Sequence, residues 1–182
     1  MASVKKSYRT IRPEVSWQDL GWMRQSWEGP LFVKGILDAD DAARAVDLGA
    51  DGIVVSNHGG RQLDGVMASL DALPAIAARV GDEAQILLDS GIRRGTDVVK
   101  ALCLGADAVC IGRPYLYGLA VAGAAGVHSV LEILREEIAR VMTLMGVHTI
   151  SDLGPERLAA AGCAVPDRFR ADLAQSSKET ER

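Results

Sequence analysis

The stretch LFVKGILDADDAARAVDLGADGIVVS (31–56) decides the fold. It begins with an apolar run, LFVKG (31–35), and continues through DADDAARAVDLGA (38–50), where Ala and Val recur at helical spacing until a glycine stops the pattern. It then enters a second apolar run, DGIVVS (51–56). This is a strand–helix–strand unit of near-minimal length. Outward from it the pattern recurs: SLDALPAIAARVG (69–81) reads as helix, AQILLDSG (84–91) as strand, GTDVVKALCLGA (95–106) as helix, DAVCIGR (107–113) as strand and PYLYGLAVAG (114–123) as helix. The runs are rich in Ile, Val and Leu and do not alternate, which predicts strands of a parallel sheet buried on both faces. LGADGIVVS (48–56) and LGADAVCIG (104–112) echo one another: a helix ends at Gly and the chain enters the next strand through Ala-Asp. Four successive units predict α/β architecture. The repetition favours a (β/α) barrel over a doubly wound sheet, which the sequence alone leaves open.

The flanks are simpler. Ser16 to Trp27 reads as a short helix with Ser16 as N-cap, Asp19 three residues on, and Trp17, Leu20 and Met23 on one face; Gly29-Pro30 ends it. Residues 126–145 form a longer amphipathic pattern closed by Gly146. Residues 1–15 are expected to be irregular, 16–153 to form one globular unit, and 154–182 to be a polar tail. The 182 residues carry 20 Lys+Arg against 24 Asp+Glu, a net charge of −4, and 48% are hydrophobic. That balance excludes bulk disorder and offers no basic surface for nucleic acid. No run approaches the roughly 18 apolar residues of a membrane span, and MASVKKSYRTIRPE (1–14) lacks the apolar core of a secretory signal. Cys103, Cys110 and Cys163 are odd in number and widely spaced, which argues against a disulfide framework or zinc site and fits a reducing, cytoplasmic location.

Polar residues gather just after the apolar runs, at what would be the C-terminal strand ends where barrels build active sites. Lys34 ends the first run and either reaches into the mouth or snorkels outward. Ser56-Asn57-His58-Gly59-Gly60-Arg61 follows the second. There the glycine pair permits close approach to a ligand, and a histidine with an arginine three residues on suits a carboxylate substrate. The arginine would hold the carboxylate with two hydrogen bonds while the histidine takes a proton. Asp64 would orient that histidine or cap the next helix. Asp89-Ser90-Gly91-Ile92-Arg93 follows the third run and Gly112-Arg113 the fourth. Two adjacent loops, each with Gly and Arg, point to a phosphate-bearing ligand; ordinary turns with solvated arginines are the alternative. Trp17, Trp22 and Trp27 read as packing residues, and the cysteines as small core residues.

VKGILDADDAARAVDLGADGIVVSNHGGRQLD (33–64), LLDSGIRRGTDVVKALCLGADAVCIGRPYLYGLA (87–120) and GVHSVLEILREEI (126–138) together resemble the FMN-dependent 2-hydroxy-acid oxidases and dehydrogenases. SNHGGRQLD is the most specific segment, and the resemblance spans about residues 16–153. It implies the C-terminal four strand–helix units of a TIM (β/α)8 barrel, with FMN as cofactor. It implies oxidation of a lactate-like, glycolate-like or mandelate-like L-2-hydroxy acid to the 2-oxo acid. His58 would be the general base and Arg61 would bind the substrate carboxylate. Lys34 and Ser56 would contact the flavin, and Asp89, Ser90, Gly91, Ile92, Arg93, Gly112 and Arg113 would hold its ribityl chain and phosphate. No metal is implied.

The chain departs from the family pattern at Ser90, where a glycine is common, and in lacking counterparts to the first four units. Four parallel strands leave two open edges and an uncovered inner face, expected here to be aliphatic. The chain is therefore expected to self-associate or to pair with a missing N-terminal half. A non-catalytic flavin- or phosphate-binding half-barrel that acts with a partner, or an inactive fragment, is the alternative to catalysis.

Overall fold

In the computed structural model the described residues are 15–159; the expectations for residues 1–14, for the tail beyond 159 and for Cys163 lie outside them. The elements alternate as the apolar runs predict. Helix α1 (Trp17–Ser26) is followed by β1 (Phe32–Ile36), α2 (Ala39–Asp47), β2 (Gly52–Val55), α3 (Ser69–Val80), β3 (Gln85–Asp89), α4 (Gly95–Cys103), β4 (Ala108–Cys110) and α5 (Arg113–Leu144). The strands form one parallel sheet in the order β1-β2-β3-β4. Each strand is laid beside its predecessor without a switch in direction, which is the winding of a barrel and not of a doubly wound sheet.

The two sequence echoes have one structural cause. After α2 and after α4 the chain stops in a left-handed turn at Gly49 (φ 94) and Gly105 (φ 100), with Ala50 N–H donating to Ala45 O at 3.0 Å and Ala106 N–H to Ala101 O at 3.1 Å. This six-residue closure satisfies the last helical carbonyls and needs a residue tolerant of positive φ. The aspartate that follows caps a neighbouring strand. Asp51 Oδ2 accepts from Leu31 N–H and Asp107 Oδ2 from Ile86 N–H, each at 2.7 Å. LGAD is thus a helix stop joined to a strand clamp, used twice.

The core lies between the sheet and α2, α3 and α4. Ile53, Val55, Ile86 and Leu88 from the strands meet Leu73 and Ile76 from α3, all fully buried. Each such side chain contributes about 1.5–3 kcal/mol by leaving water. α1 adds Leu20, and Arg44 lies 4.9 Å from the centroid of the Trp17 ring. Asp19 accepts from both the backbone N–H and the hydroxyl of Ser16, at 2.7 and 2.9 Å. Trp22 and Trp27 depart from the expected packing: they are 64% and 56% exposed.

The strands also depart from the expectation of burial on both faces. Only β2 is buried throughout; β1 and β3 alternate between covered and accessible positions. Helices cover one face only, so successive residues alternate between core and open surface. The open face is not the aliphatic surface expected either, because it carries Lys34, Gln85 and Asp89 beside Phe32 and Leu87.

α5 corrects a second expectation. By length and composition its 32 residues are apolar enough to cross a membrane. The helix is broken, however, at Ala122 (φ −145) and Gly123 (φ 56), and its arms meet where the carbonyls of Gly118 and Gly126 occupy the positions of each other's missing Cβ. The arm from Arg113 to Val121 rises only about 14 Å against the roughly 30 Å of a bilayer core. The other arm carries Glu132, Arg135, Glu136, Glu137 and Arg140. The break falls between the two helices that the sequence pattern separates.

Candidate active site

The loops after the four strands enclose a cleft of about 780 Å³. Lys34, His58, Arg61, Asp89, Ser90, Gly91, Ile92, Arg93, Gly112 and Arg113 line it. Ten of the eleven positions singled out from the sequence therefore converge, and the eleventh, Ser56, lies just beneath, 1% exposed.

Ser56 is the centre of a polar network. Its hydroxyl donates to Asp89 Oδ2 at 2.5 Å and accepts from Lys34 Nζ and from His58 N–H, each at 3.0 Å. A hydroxyl has one proton and two lone pairs, so these three bonds use its full capacity. Lys34 Nζ also lies 2.8 Å from Asp89 Oδ2, closing a triangle at the ends of β1, β2 and β3. Lys34 remains 45% exposed while Asp89 is 18% exposed, so the ammonium faces the cleft and the carboxylate its floor. Burial pushes the Asp89 carboxyl up, but the hydrogen bonds from Lys34 and Ser56 and the charge of Lys34 outweigh it and hold the group below the ordinary carboxylate range.

A carboxyl depressed in the folded state stabilises the fold above its unfolded pKa of about 3.9, and that contribution disappears as pH falls through the lower folded value. Asp89→Asn is therefore expected to cost about 1 kcal/mol at neutral pH. The gap from the unsubstituted protein should narrow as pH is lowered below about 4. Urea midpoints measured across that range check it.

The loop after β2 turns sharply through a short 3-10 segment, His58–Gly60, with His58 itself at φ 56. The imidazole is seated on β1. A Cβ added to Gly35, itself at φ 105, would lie 2.6 Å from His58 Cε1. Gly35 is the extra residue of a bulge between Lys34, paired with Val54, and Ile36, paired with Val55. The sequence reading missed Gly35; its signal is a lone glycine inside an apolar strand. Cys110 was also missed as a cleft residue. It pairs in register with Asp89 and so shares its face. Burial first, and the Asp89 charge second, push the Cys110 thiol up against the opposing effect of Lys34, keeping it a protonated thiol.

Asp64 neither orients His58 nor caps α3. Its carboxylate accepts from the adjacent Gly65 N–H at 3.0 Å, and the N-cap of α3 is Ala68. Ser69 ties the loop to α3 instead, accepting from Asn57 N–H at 2.9 Å. On the loops after β3 and β4, Arg93 and Arg113 are exposed beside Gly91 and Gly112. The Arg113 guanidinium reaches within 3.2 Å of where a Cβ on Gly59 would lie. No group of three or more His, Cys, Asp or Glu side chains able to hold a metal ion occurs among the described residues.

The cleft thus brings together a histidine and an arginine from the loop after β2, an ammonium hydrogen-bonded to a carboxylate, and two guanidiniums with two glycines from the loops after β3 and β4. A family model described as FMN-dependent dehydrogenase matches residues 1–160. The chain is 57% identical over 146 residues to an L-lactate dehydrogenase of Xanthomonas axonopodis pv. citri and 58% identical over 146 residues to one of Pseudomonas putida (strain GB-1). Each match covers 80% of this chain and 38% of the relative, so the chain spans less than half the length of these proteins. A crystal structure of (S)-mandelate dehydrogenase, described as a monotopic membrane protein, superposes with TM-score 0.80 at 44% identity, over 84% of this chain and 40% of that one. A mandelate oxidase variant with a monooxide FMN adduct superposes with TM-score 0.73 at 47% identity, over 75% of this chain and 44% of that one.

Proposed function

Because the chain belongs to the family of FMN-dependent dehydrogenases, we propose that its cleft holds FMN and supplies the base and the carboxylate anchor for oxidation of an L-2-hydroxy acid to the 2-oxo acid. The observation that carries this reading is the convergence of His58 and Arg61 with Lys34, Arg93 and Arg113 on one cleft. The volume suits a small-molecule cofactor. The donor set suits an anionic one: the guanidiniums of Arg61, Arg93 and Arg113 line the cleft, while Lys34 offsets the carboxylate in its lining, Asp89. Arg93 and Arg113, with the backbone of Gly91 and Gly112, would hold the phosphate, and Lys34 would face the ring system.

When bound, FMN supplies the two-electron acceptor. The remaining work falls to protein groups. Arg61 pairs with the substrate carboxylate through two parallel hydrogen bonds, which fixes the acid's orientation. His58 accepts a proton at an imidazole nitrogen. Lys34 presents its ammonium to the cleft, and Ser56 and Asp89 hold that ammonium in place. Lactate and mandelate, named for the relatives, are the first substrates to try.

Association belongs to the same proposal. A largely apolar groove of about 520 Å³ runs beside β1, bordered by Trp17, Leu20, Met23 and Phe32. It supports pairing with a segment that carries the remaining barrel strands, or with a second copy. A cytosolic location is also proposed, supported by the free thiols of Cys103 and Cys110; recovery in the membrane fraction would contradict it.

Anaerobic addition of L-lactate or (S)-mandelate to the FMN-loaded protein, in whatever assembly it forms, is expected to bleach the flavin. Bound flavin that neither acid reduces contradicts the proposed chemistry. Arg61→Lys is expected to raise KM by about 10–100-fold, with a smaller change in kcat, because an ammonium cannot make the paired contact. Steady-state kinetics check that split.

A further inference from the structure

We propose that Ser90 is a positioning residue whose hydroxyl pins the turn bearing His58 to the end of β3; this rests on the reading of His58 as the base. Among the described residues only two non-glycine positions have positive φ, His58 at 56° and Ser90 at 86°. Both line the cleft, on the loops after β2 and β3, and one bond links those loops: the N–H of Gly59, next to His58, donates to Ser90 Oγ at 3.0 Å. A side chain at such a φ is unfavourable, and backbone strain of this kind persists where surrounding contacts hold it.

Asn57 N–H ties the start of the loop to Ser69 of α3, and the other bonds of His58, Gly59, Gly60 and Arg61 are local. His58 N–H donates to Ser56 Oγ, Gly59 N–H also to Asn57 Oδ1, Gly60 N–H to Asn57 O, and Arg61 N–H to His58 O. Each shapes the turn, but none fastens it to another strand. Of the hydrogen bonds that His58, Gly59 and Gly60 make among the described residues, only the one to Ser90 leaves the segment 56–61. Ser90 is itself held, with its hydroxyl 3.4 Å from both Asp89 Oδ2 and Ser56 Oγ. Ser56 spends its only proton on Asp89 and both lone pairs on Lys34 and His58, so the Ser90 proton turns to Asp89 Oδ2 and its lone pairs face Gly59. The imidazole is thus set from two sides: Gly35 forms its seat, and Ser90 fixes the backbone that aims it.

Amide hydrogen exchange at Gly59, measured without flavin or substrate, tests this in Ser90→Ala and Ser90→Gly. Alanine keeps the unfavourable φ and loses the hydroxyl; glycine relieves the φ and loses the hydroxyl. Both variants are expected to speed Gly59 exchange about tenfold, leaving Val54 and Leu88 in the strands unchanged. Both are expected to lower kcat about tenfold with little change in KM for the acid. Unchanged Gly59 exchange in both variants, acceleration in the alanine variant alone, or faster exchange with normal kcat would each overturn the proposal. Exchange is read whether or not the chain turns over, so a lack of turnover in the unsubstituted protein counts against the function of the cleft and leaves the exchange result to decide the hydroxyl's part.

Discussion

Replacing His58 with alanine is expected to lower kcat by about 10²–10⁴-fold, the range a positioned general base contributes, while leaving flavin affinity unchanged. The two effects separate because His58 and the groups proposed to hold the phosphate sit on different loops. The histidine follows β2, whereas Arg93 follows β3 and Arg113 opens α5. The ring is half-buried on Gly35, so alanine removes a proton acceptor without uncovering a large part of the core. Stopped-flow reduction of the bound flavin by substrate, alongside a flavin titration, reads both quantities. Reduction at nearly the normal rate would remove His58 from the role of base.

Gly35→Ala is expected to be almost as damaging, although the residue carries no functional group. Its new Cβ would meet His58 Cε1 at 2.6 Å, far inside van der Waals contact. The imidazole must then move by the better part of an ångström, a displacement that costs about 10²-fold in a catalytic geometry. The positive φ adds about 1–2 kcal/mol of strain. Gly65→Ala serves as the control, since Gly65 also has positive φ (75°) but nothing lies within 4 Å of an added Cβ. The control should lose some stability and keep its activity. Equal loss of activity in both variants would show that backbone strain, and not displacement of His58, is responsible.

These effects also mark how far the residues alone lead. Strand runs such as GIVV, and helix stops such as Gly49 and Gly105, are local signals, and the structure repeats them with small shifts at the ends. The cleft was legible for a related reason: parallel winding gathers the strand-end loops at one mouth, so Lys34, His58, Arg61, Asp89 and Arg93 could be grouped by position alone. The contacts within the cleft were not legible. Gly35 touches His58 only because a bulge in β1 and a left-handed turn after β2 bring them together, and no spacing rule connects two such distant irregularities. Ser90 stands where a glycine is common in the family, which hid the use of its hydroxyl. Burial misled in the other direction. An unbroken apolar run does not say how many of its faces are covered, so β1 and β3 read as buried although one face of each is open. The exposure of Trp22 and Trp27 has the same origin, because α1 presents only Leu20 and Trp17 to the core.

The most direct test of the central claim, that this cleft is a flavin site, is an absorbance spectrum of the purified protein after incubation with FMN and desalting, with its mass in solution and its circular dichroism recorded on the same sample. A retained flavin band in a defined, folded species is expected. A folded species of defined mass that emerges without flavin would contradict it.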